Sequence, residues 1–187
     1  MLGNDIIDLH YTKLNTDWTR SGWLNKVCTQ EEQDDIYKSD NPFLRTWRIW
    51  SMKESAYKIA IQKGYRHALN PTKFITSISN DKYGIVHYDN EKIITNTETN
   101  KEFIYTIGSE EKSDLALAYS GFVTDLDVLK QSLLIRISNS YSYDHKKLEI
   151  RSNKNRVPAV YYANQPLHFY ISMSHHGKYG AYTFKKK

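Results

Sequence analysis

The spacing of apolar residues changes once near the middle of the chain, and this change constrains the fold more than any other feature. Between Pro42 and Lys63, large apolar side chains recur every three or four residues, which is the period of one helix face. From Phe74 to Tyr119 the period is two, which is typical of β-strands with one buried face. A long helix followed by consecutive strands indicates the α+β class.

Further elements are predicted on both sides of this transition. Met1–Tyr11 is expected to form a buried strand, and Thr29–Lys38 a short helix that begins with a capping box. Asp40 or Asn41 is expected to cap the long helix, and Gly64 to end it. The strands predicted after the long helix cover residues 73–79, 83–88, 91–97, 101–108 and 114–120.

A second unit of helix and strands begins after Gly121. Asp127–Asn139 is expected to form an amphipathic helix, and strands are predicted after it at residues 147–152, 157–162, 167–173 and 179–184. Since each half then contains a helix packed on a small antiparallel sheet, we predict two similar lobes. The first would cover residues 1–122 and the second residues 123–187, together forming one pseudo-dimeric domain.

Composition restricts the environment in which the protein works. The chain has one cysteine, Cys28, which excludes an internal disulfide and fits a reducing cytoplasm. No apolar run approaches the ~20 residues of a membrane span, so we expect no membrane association. The formal net charge of +5 favours anionic partners, but it does not distinguish nucleic acid, acidic proteins and phosphorylated cofactors.

The first of three polar clusters that could carry chemistry is Gly3-Asn4-Asp5, in the predicted N-terminal strand. A carboxylate in an apolar strand is costly to bury unless a cation or hydrogen-bond donors satisfy it. An ordinary turn carboxylate is the structural alternative for Asp5.

The second cluster lies on the long helix, between Trp50 and Lys58. Glu54 and Lys58 are four residues apart and therefore share one helix face. A surface ion pair is the structural alternative, but Glu54 falls on the aromatic stripe that should face the core. A carboxylate at the edge of that stripe, flanked by Lys53 and Lys58, suits a site for a metal ion and phosphate.

The third cluster is SMSHHG, at Ser172–Gly177. The adjacent histidines His175 and His176 are a poor match to a zinc site, because the chain has a single cysteine and no helical histidine spacing. A strand that ends in a turn at Gly177 is the structural alternative. The functional alternative is a hydroxyl and an imidazole, from Ser174 and His175, that bind phosphate oxygens.

Taken in this order, the three clusters resemble the motifs of the 4′-phosphopantetheinyl transferase superfamily. The family patterns are G-x-D followed by a hydrophobic residue, W-x-x-K-E-[SA]-x-x-K, and S-x-S-H or N-x-S-H. The middle pattern is the most specific, and it is matched at Trp50, Lys53, Glu54, Ser55 and Lys58. The order of the motifs is that of the holo-acyl-carrier-protein synthases, although this chain is longer than those synthases.

The predicted lobes resemble those of the larger, surfactin-synthetase type of this family in swapped order. Residues 1–122 look like the C-terminal lobe of that type, and residues 125–184 look like its N-terminal lobe, as in a circular permutation. The short synthases form trimers whose sites lie between subunits. A second lobe in the same chain implies a complete site within one molecule, so we expect a monomer.

The resemblance implies a reaction and a set of site residues. The 4′-phosphopantetheine group of coenzyme A would be transferred to a serine of an apo acyl or peptidyl carrier protein. Asp5 and Glu54 would hold Mg²⁺ against the diphosphate of coenzyme A, and Glu54, or a water that it positions, would act as the base. Lys53 or Lys58 would stabilise the departing phosphate. The residues expected to bind coenzyme A are Lys53, Lys58, Arg136, Arg156, Ser174 and His175.

Two positions depart from the family pattern. Ile7 stands where the larger type has a second acidic residue, so two protein carboxylates and more water would surround the metal ion. Val157 stands at the lysine of a G-K-P segment, where Arg156 or Lys154 could supply the charge. These departures leave a second hypothesis, a non-catalytic protein that binds coenzyme A or a carrier protein. A small nucleic-acid binder is a third, which the scattered basic residues disfavour.

Overall fold

The computed structural model describes residues 1–66, 68–153 and 155–187 as helices packed on antiparallel sheets. In these residues the α-helices are α1 (Leu9–Asn15), α2 (Trp23–Val27), α3 (Gln30–Lys38), α4 (Pro42–Gln62), α5 (Lys112–Leu117) and α6 (Leu129–Tyr141). The strands are β1 (Leu2–Asp8), β2 (Ile75–Ile78), β3 (Tyr83–Tyr88), β4 (Glu91–Thr99), β5 (Phe103–Ser109), β6 (Tyr119–Val123), β7 (Leu148–Ser152), β8 (Pro158–Tyr162), β9 (Gln165–Pro166), β10 (Phe169–His176) and β11 (Tyr179–Lys186). This content confirms the predicted α+β class.

The strands form three sheets. The largest has the order β1-β5-β4-β3-β2, so that β1 lies at its edge and the register places Asp5 opposite Thr106. The second has the order β10-β11-β6, and the third β7-β8-β9. Short 3₁₀ turns at Pro71–Lys73, Leu126–Val128 and His145–Lys147 connect these elements.

Helix α4 has the predicted bounds, because its capping signals operate as expected. The Asn41 side chain accepts a hydrogen bond from the Leu44 main-chain N–H, and Pro42 occupies the first turn. After the helix ends, Gly64 adopts a left-handed conformation with φ of 102°, which glycine adopts without strain. The capping box of α3 is also confirmed, between Thr29 and Glu32.

Two of the predicted strands differ most from the structure. The N-terminal strand stops at Asp8, because the Asp8 side chain accepts from the Tyr11 N–H and starts α1. Residues 114–120 were predicted as one strand, but α5 occupies most of them. Leu115 of α5 packs on the core, as does Ala118 immediately after the helix, where the backbone is already extended.

The predicted boundary between residues 122 and 123 falls inside β6, which pairs with β11 in the same sheet as β10. A hydrophobic cluster also joins the largest sheet to this second sheet, with Leu2 and Ile6 of β1 buried against Tyr179 and Ala181 of β11. The division into two lobes stays a prediction, and the two parts of the chain share this hydrophobic cluster.

Cys28 lies in a separate apolar cluster beside α3 and α4, together with Leu24, Ile36 and Ile49. Burial raises the pKa of its thiol to about 12. Within the described part of the chain, no helix combines the length and the apolar character that crossing a membrane requires.

Candidate active site

The close approach of β1 to α4 brings the first two motifs together. A Cβ atom on Gly3 would overlap the carbonyl oxygen of Ser55, so only glycine allows the strand to lie this near the helix. Two residues further along β1, Asp5 meets the face of α4 that carries Lys58. The G-x-D spacing therefore places a carboxylate against the helix at the point of closest contact.

Asp5 is buried, and its two carboxylate oxygens have different surroundings. Oδ1 lies 3.6 Å from the Lys58 ammonium, whereas buried Oδ2 accepts no hydrogen bond of ordinary geometry among the described residues. The Ser51 hydroxyl nonetheless lies close enough to the carboxylate to lower the pKa of Asp5. Burial raises the pKa of Asp5, and the Lys58 charge opposes that rise. An unpartnered buried carboxylate oxygen is unusual in a folded protein and indicates a missing donor or cation.

Glu54 is half-buried near Asp5. Burial, together with the negative charge of Asp5, raises the pKa of Glu54 to about 7, and Lys58 acts in the opposite direction. A carboxylate whose pKa is raised by a neighbouring carboxylate suits a site for a hard divalent cation, which prefers oxygen ligands. No group of three or more acidic, histidine or cysteine ligands occurs in residues 1–66, 68–153 and 155–187.

Lys58 contacts β1 and is not part of a surface ion pair with Glu54. Its Nζ donates to the main-chain oxygen of Asn4 over 2.6 Å, besides its contact with Asp5. Asn4 is fully buried, so this bond anchors the ammonium between helix and strand. The simple surface pair, which was the structural alternative for this cluster, is absent from the ion pairs of the described residues.

Lys53 points elsewhere and does not join this group. It is fully buried, and its Nζ donates to Glu32 Oε2 at 2.6 Å and to the carbonyl oxygens of Val27 and Pro71, each at 2.9 Å. An ammonium has three N–H donors, and here all three are used. The structure therefore gives Lys53 a position within the core in place of the predicted contact with phosphate.

The SMSHHG segment ends β10 beside the free edge of β1. Ser172 Oγ accepts from the Asn4 main-chain N–H over 3.1 Å, and the Asn4 side-chain amide donates to Ser174 Oγ over 3.2 Å. His176 Nδ1 accepts from the Asp8 main-chain N–H over 3.1 Å. The third motif thus lies against the first one.

His175 and His176 lie on different sides of β10. His176 is half-buried: burial lowers its pKa, which the Asp5 and Asp8 carboxylates counteract. His175 is exposed and lines a cavity of about 420 Å³ together with Leu129, Lys130 and Ser174. His175 is the predicted phosphate ligand, whereas His176 is not among the predicted site residues. Side chains alternate between the two faces of a strand, so His176 shares a face with Ser172 and Ser174, and His175 does not. This alternation was the signal that could have distinguished the two histidines.

A cleft of about 400 Å³ opens next to Lys58. One wall is formed by α4, and the other by Ser152, residues 155–158 and the middle of β10. Its lining includes Tyr57, Lys58, Gln62, Asn155, Arg156, Val157, Ser172 and Met173. Lys58 and Arg156, both predicted to bind the cofactor, therefore face one cleft.

One other predicted position, Arg136, is not in the cleft lining. Arg136 is exposed on α6 and lies over the ring of Tyr119, 5.6 Å from its centre. Lys154, the alternative to Arg156 as a source of positive charge, lies outside the described residues.

Comparison with known proteins assigns the N-terminal part of the chain. Residues 1–119 match the family model described as the 4′-phosphopantetheinyl transferase superfamily. A holo-[acyl-carrier-protein] synthase from Fusobacterium nucleatum subsp. nucleatum is 29% identical over 118 residues, which are 63% of this chain and 94% of that protein. The family match includes Asp5, Glu54 and Lys58.

Proposed function

Because the chain belongs to the 4′-phosphopantetheinyl transferase superfamily, we propose that it transfers the 4′-phosphopantetheine group of coenzyme A to a serine of an apo carrier protein. The observation that carries this proposal is the pairing of buried Asp5 with half-buried Glu54 beside Lys58, a residue that lines a cleft of about 400 Å³. The cleft has the size of a small-molecule site, and its cationic residues suit a phosphorylated co-substrate.

Asp5 and Glu54 are the residues that would hold Mg²⁺. The fit rests on the unpartnered Oδ2 of Asp5 and on the raised pKa of Glu54, because a nearby cation would stabilise the ionised form of both carboxyl groups. When bound, the ion would offset negative charge on the diphosphate. Because Ile7 supplies no third carboxylate, water would complete the coordination shell.

The protein's own cations would bind and orient the diphosphate. Lys58 is held at the junction of α4 and β1, and Arg156 faces it across the cleft. Both can donate to phosphate oxygens, and Lys58 would also stabilise negative charge on the leaving group. His175 and Ser174, at the neighbouring cavity of about 420 Å³, would contact phosphate at the adenosine end. Arg136 is a further proposed contact, which requires its side chain to leave the Tyr119 ring.

In the proposed reaction, the serine oxygen of the carrier protein bonds to the β-phosphorus of coenzyme A. The bond from this phosphorus to the bridging oxygen breaks, and 3′,5′-adenosine bisphosphate leaves with that oxygen. Glu54, or a water that it positions, takes the hydroxyl proton. A carboxyl pKa of about 7 suits a base that works near neutral pH.

The partner would be an acyl or peptidyl carrier protein. Such carriers are acidic as a class, and the net charge of +5 would favour their encounter with this protein. We also propose that the active species is a cytoplasmic monomer, since Lys58, Arg156 and Ser172 line the cleft from within one chain.

Incubation with coenzyme A, Mg²⁺ and a panel of apo acyl and peptidyl carrier proteins tests this function. Intact-mass spectrometry should show the mass of one phosphopantetheine group added to at least one carrier. No addition should occur when the acceptor serine of that carrier is replaced by alanine. Coenzyme A binding without transfer to any carrier would instead support the non-catalytic alternative, which the two-carboxylate site keeps open.

A further inference from the structure

The free edge of β1 is closed by side chains of β10. Its main-chain N–H groups at Asn4 and Asp8 are four residues apart, and their acceptors, Ser172 Oγ and His176 Nδ1, are also four apart. Equal spacing means that the two strands run in the same direction with a matched rise per residue. We call these two hydrogen bonds, Asn4 to Ser172 and Asp8 to His176, the edge contact.

The edge contact fixes the tautomer of His176. A neutral imidazole has one nitrogen that donates and one that accepts, and Nδ1 of His176 accepts the Asp8 N–H. The ring proton therefore resides on Nε2. Tyr11 packs its ring edge-to-face on His176, with the ring centres 5.2 Å apart, which restricts rotation of the imidazole.

The turn after β10 binds the same residue of β1. Asp8 Oδ2 accepts from the Lys178 main-chain N–H over 3.1 Å, while Oδ1 accepts from Tyr11 at the start of α1. Gly177 has a φ of 56°, and a Cβ atom there would overlap the Asp8 carboxylate. The end of β1 is thus held at its amide and its side chain together.

We propose that Ser172 and His176 are positioning residues of the active site, which act on Asp5 through the main chain of β1. Asp5 lies between the two anchored amides, and the Asn4 carbonyl between them also holds Lys58. Loss of an anchor would let this segment shift, and a misplacement of about 1 Å can cost on the order of 100-fold in rate. The importance of this positioning for catalysis rests on the function proposed above.

Nuclear magnetic resonance tests the edge contact without any catalysis. A long-range ¹H–¹⁵N spectrum of the wild-type protein should show His176 as the Nε2–H tautomer. The Asp8 amide should be protected from hydrogen exchange, because it is bonded to Nδ1. An Nδ1–H tautomer, or an Asp8 amide that exchanges as fast as an open chain, would overturn the proposal.

Two variants then distinguish the loss of the Nδ1 hydrogen-bond acceptor from the loss of the packing volume of the ring. In His176→Asn the side-chain oxygen can replace Nδ1 as acceptor, whereas His176→Leu fills similar space with no acceptor. We expect His176→Leu to lower kcat/KM by on the order of 10- to 100-fold and to weaken Mg²⁺ binding measured by calorimetry. His176→Asn should recover most of both losses, which a role in packing alone would not predict.

His168→Leu is the matched control, because this exposed histidine immediately precedes β10. It should leave both quantities unchanged. Equal behaviour of His176→Asn and His176→Leu would overturn the positioning role, as would wild-type Mg²⁺ affinity in both. If the wild-type protein modifies no carrier, the proposed function fails, while the tautomer and the Mg²⁺ affinities still decide whether His176 positions Asp5.

Discussion

Burial disfavours the charged forms of both Asp5 and Glu54, and the negative charge of Asp5 further disfavours ionisation of Glu54. Such an arrangement does not stabilise the fold in the absence of a cation, because each charge raises the free energy of the other. Lys58 offsets part of this repulsion, but its shortest contact is with the Asn4 carbonyl. Strongly perturbed carboxyl groups beside a cleft are characteristic of functional sites.

Asp5→Asn and Glu54→Gln should therefore separate activity from stability. Each should lower the transfer rate by roughly 100-fold or more, because a charged ligand at the reacting phosphate is lost. The free energy of unfolding in the absence of metal should stay equal or rise, since a buried charge is removed. Intact-mass kinetics and urea unfolding measure the two effects, and near-wild-type rates at limiting Mg²⁺ would refute the metal assignment.

Glu54 also predicts how stability depends on pH. Its pKa is about 7 in the folded protein, against an ordinary value of 4.5, so folding favours the protonated carboxyl group. Its contribution to stability is complete below about pH 4.5 and is lost as the pH rises through about 7. In metal-free buffer the wild-type protein should lose more stability than Glu54→Gln between about pH 5 and pH 8. Parallel pH profiles of the two proteins in urea unfolding would count against the raised pKa.

Helix α4 shows how neighbouring residues of one motif serve different purposes. Its bounds and cap follow from Asn41, Pro42 and Gly64, so local signals are sufficient to predict them. The position and the binding partner of the Lys53 side chain could not be predicted from such local signals. Its partner Glu32 is 21 residues away, and the capping box explains that glutamate by itself. Spacing indicates which residues share a helix face, but a buried ion pair depends on how separate elements pack.

Lys53→Met should consequently reduce stability and leave the active-site contacts in place. It would leave Glu32 buried without its cation, and breaking a buried pair costs about 3–5 kcal/mol. Lys73→Met is the control, because Lys73 is exposed and such substitutions change stability by about 0.5 kcal/mol or less. Thermal and urea unfolding measure both variants. A stable Lys53→Met protein with a raised KM for coenzyme A would restore the cofactor role predicted from the motif.

At the scale of the whole molecule, the residues of the proposed chemistry and the residues that cover them come from different parts of the chain. The family match ends at residue 119, whereas the edge of β1 is covered by β10 and β11. The sequence was sufficient to predict the α+β class and the order of most elements. It could not predict the contact of β10 with β1, because that contact joins residues 168 positions apart through side-chain hydrogen bonds.

A fragment of residues 1–122 should therefore self-associate. It would expose the β1 edge and the apolar surface of Leu2 and Ile6 that β11 covers in the full chain. The full chain should be a monomer and should be active in that state. Light scattering coupled to size exclusion, with the transfer assay on each fraction, measures this. A monomeric fragment with cooperative unfolding, or activity confined to a trimer of the full chain, would contradict the prediction.

The buried thiol of Cys28 provides a measure of how often this part of the protein opens to solvent. Alkylating reagents react with the thiolate, which burial and a pKa of about 12 suppress in the native state. Each chain can accept one label, because the sequence contains no second cysteine. The rate at which iodoacetamide adds its mass would thus report how often the cluster around Cys28 opens, for every variant above and in the same spectrometer that records carrier modification.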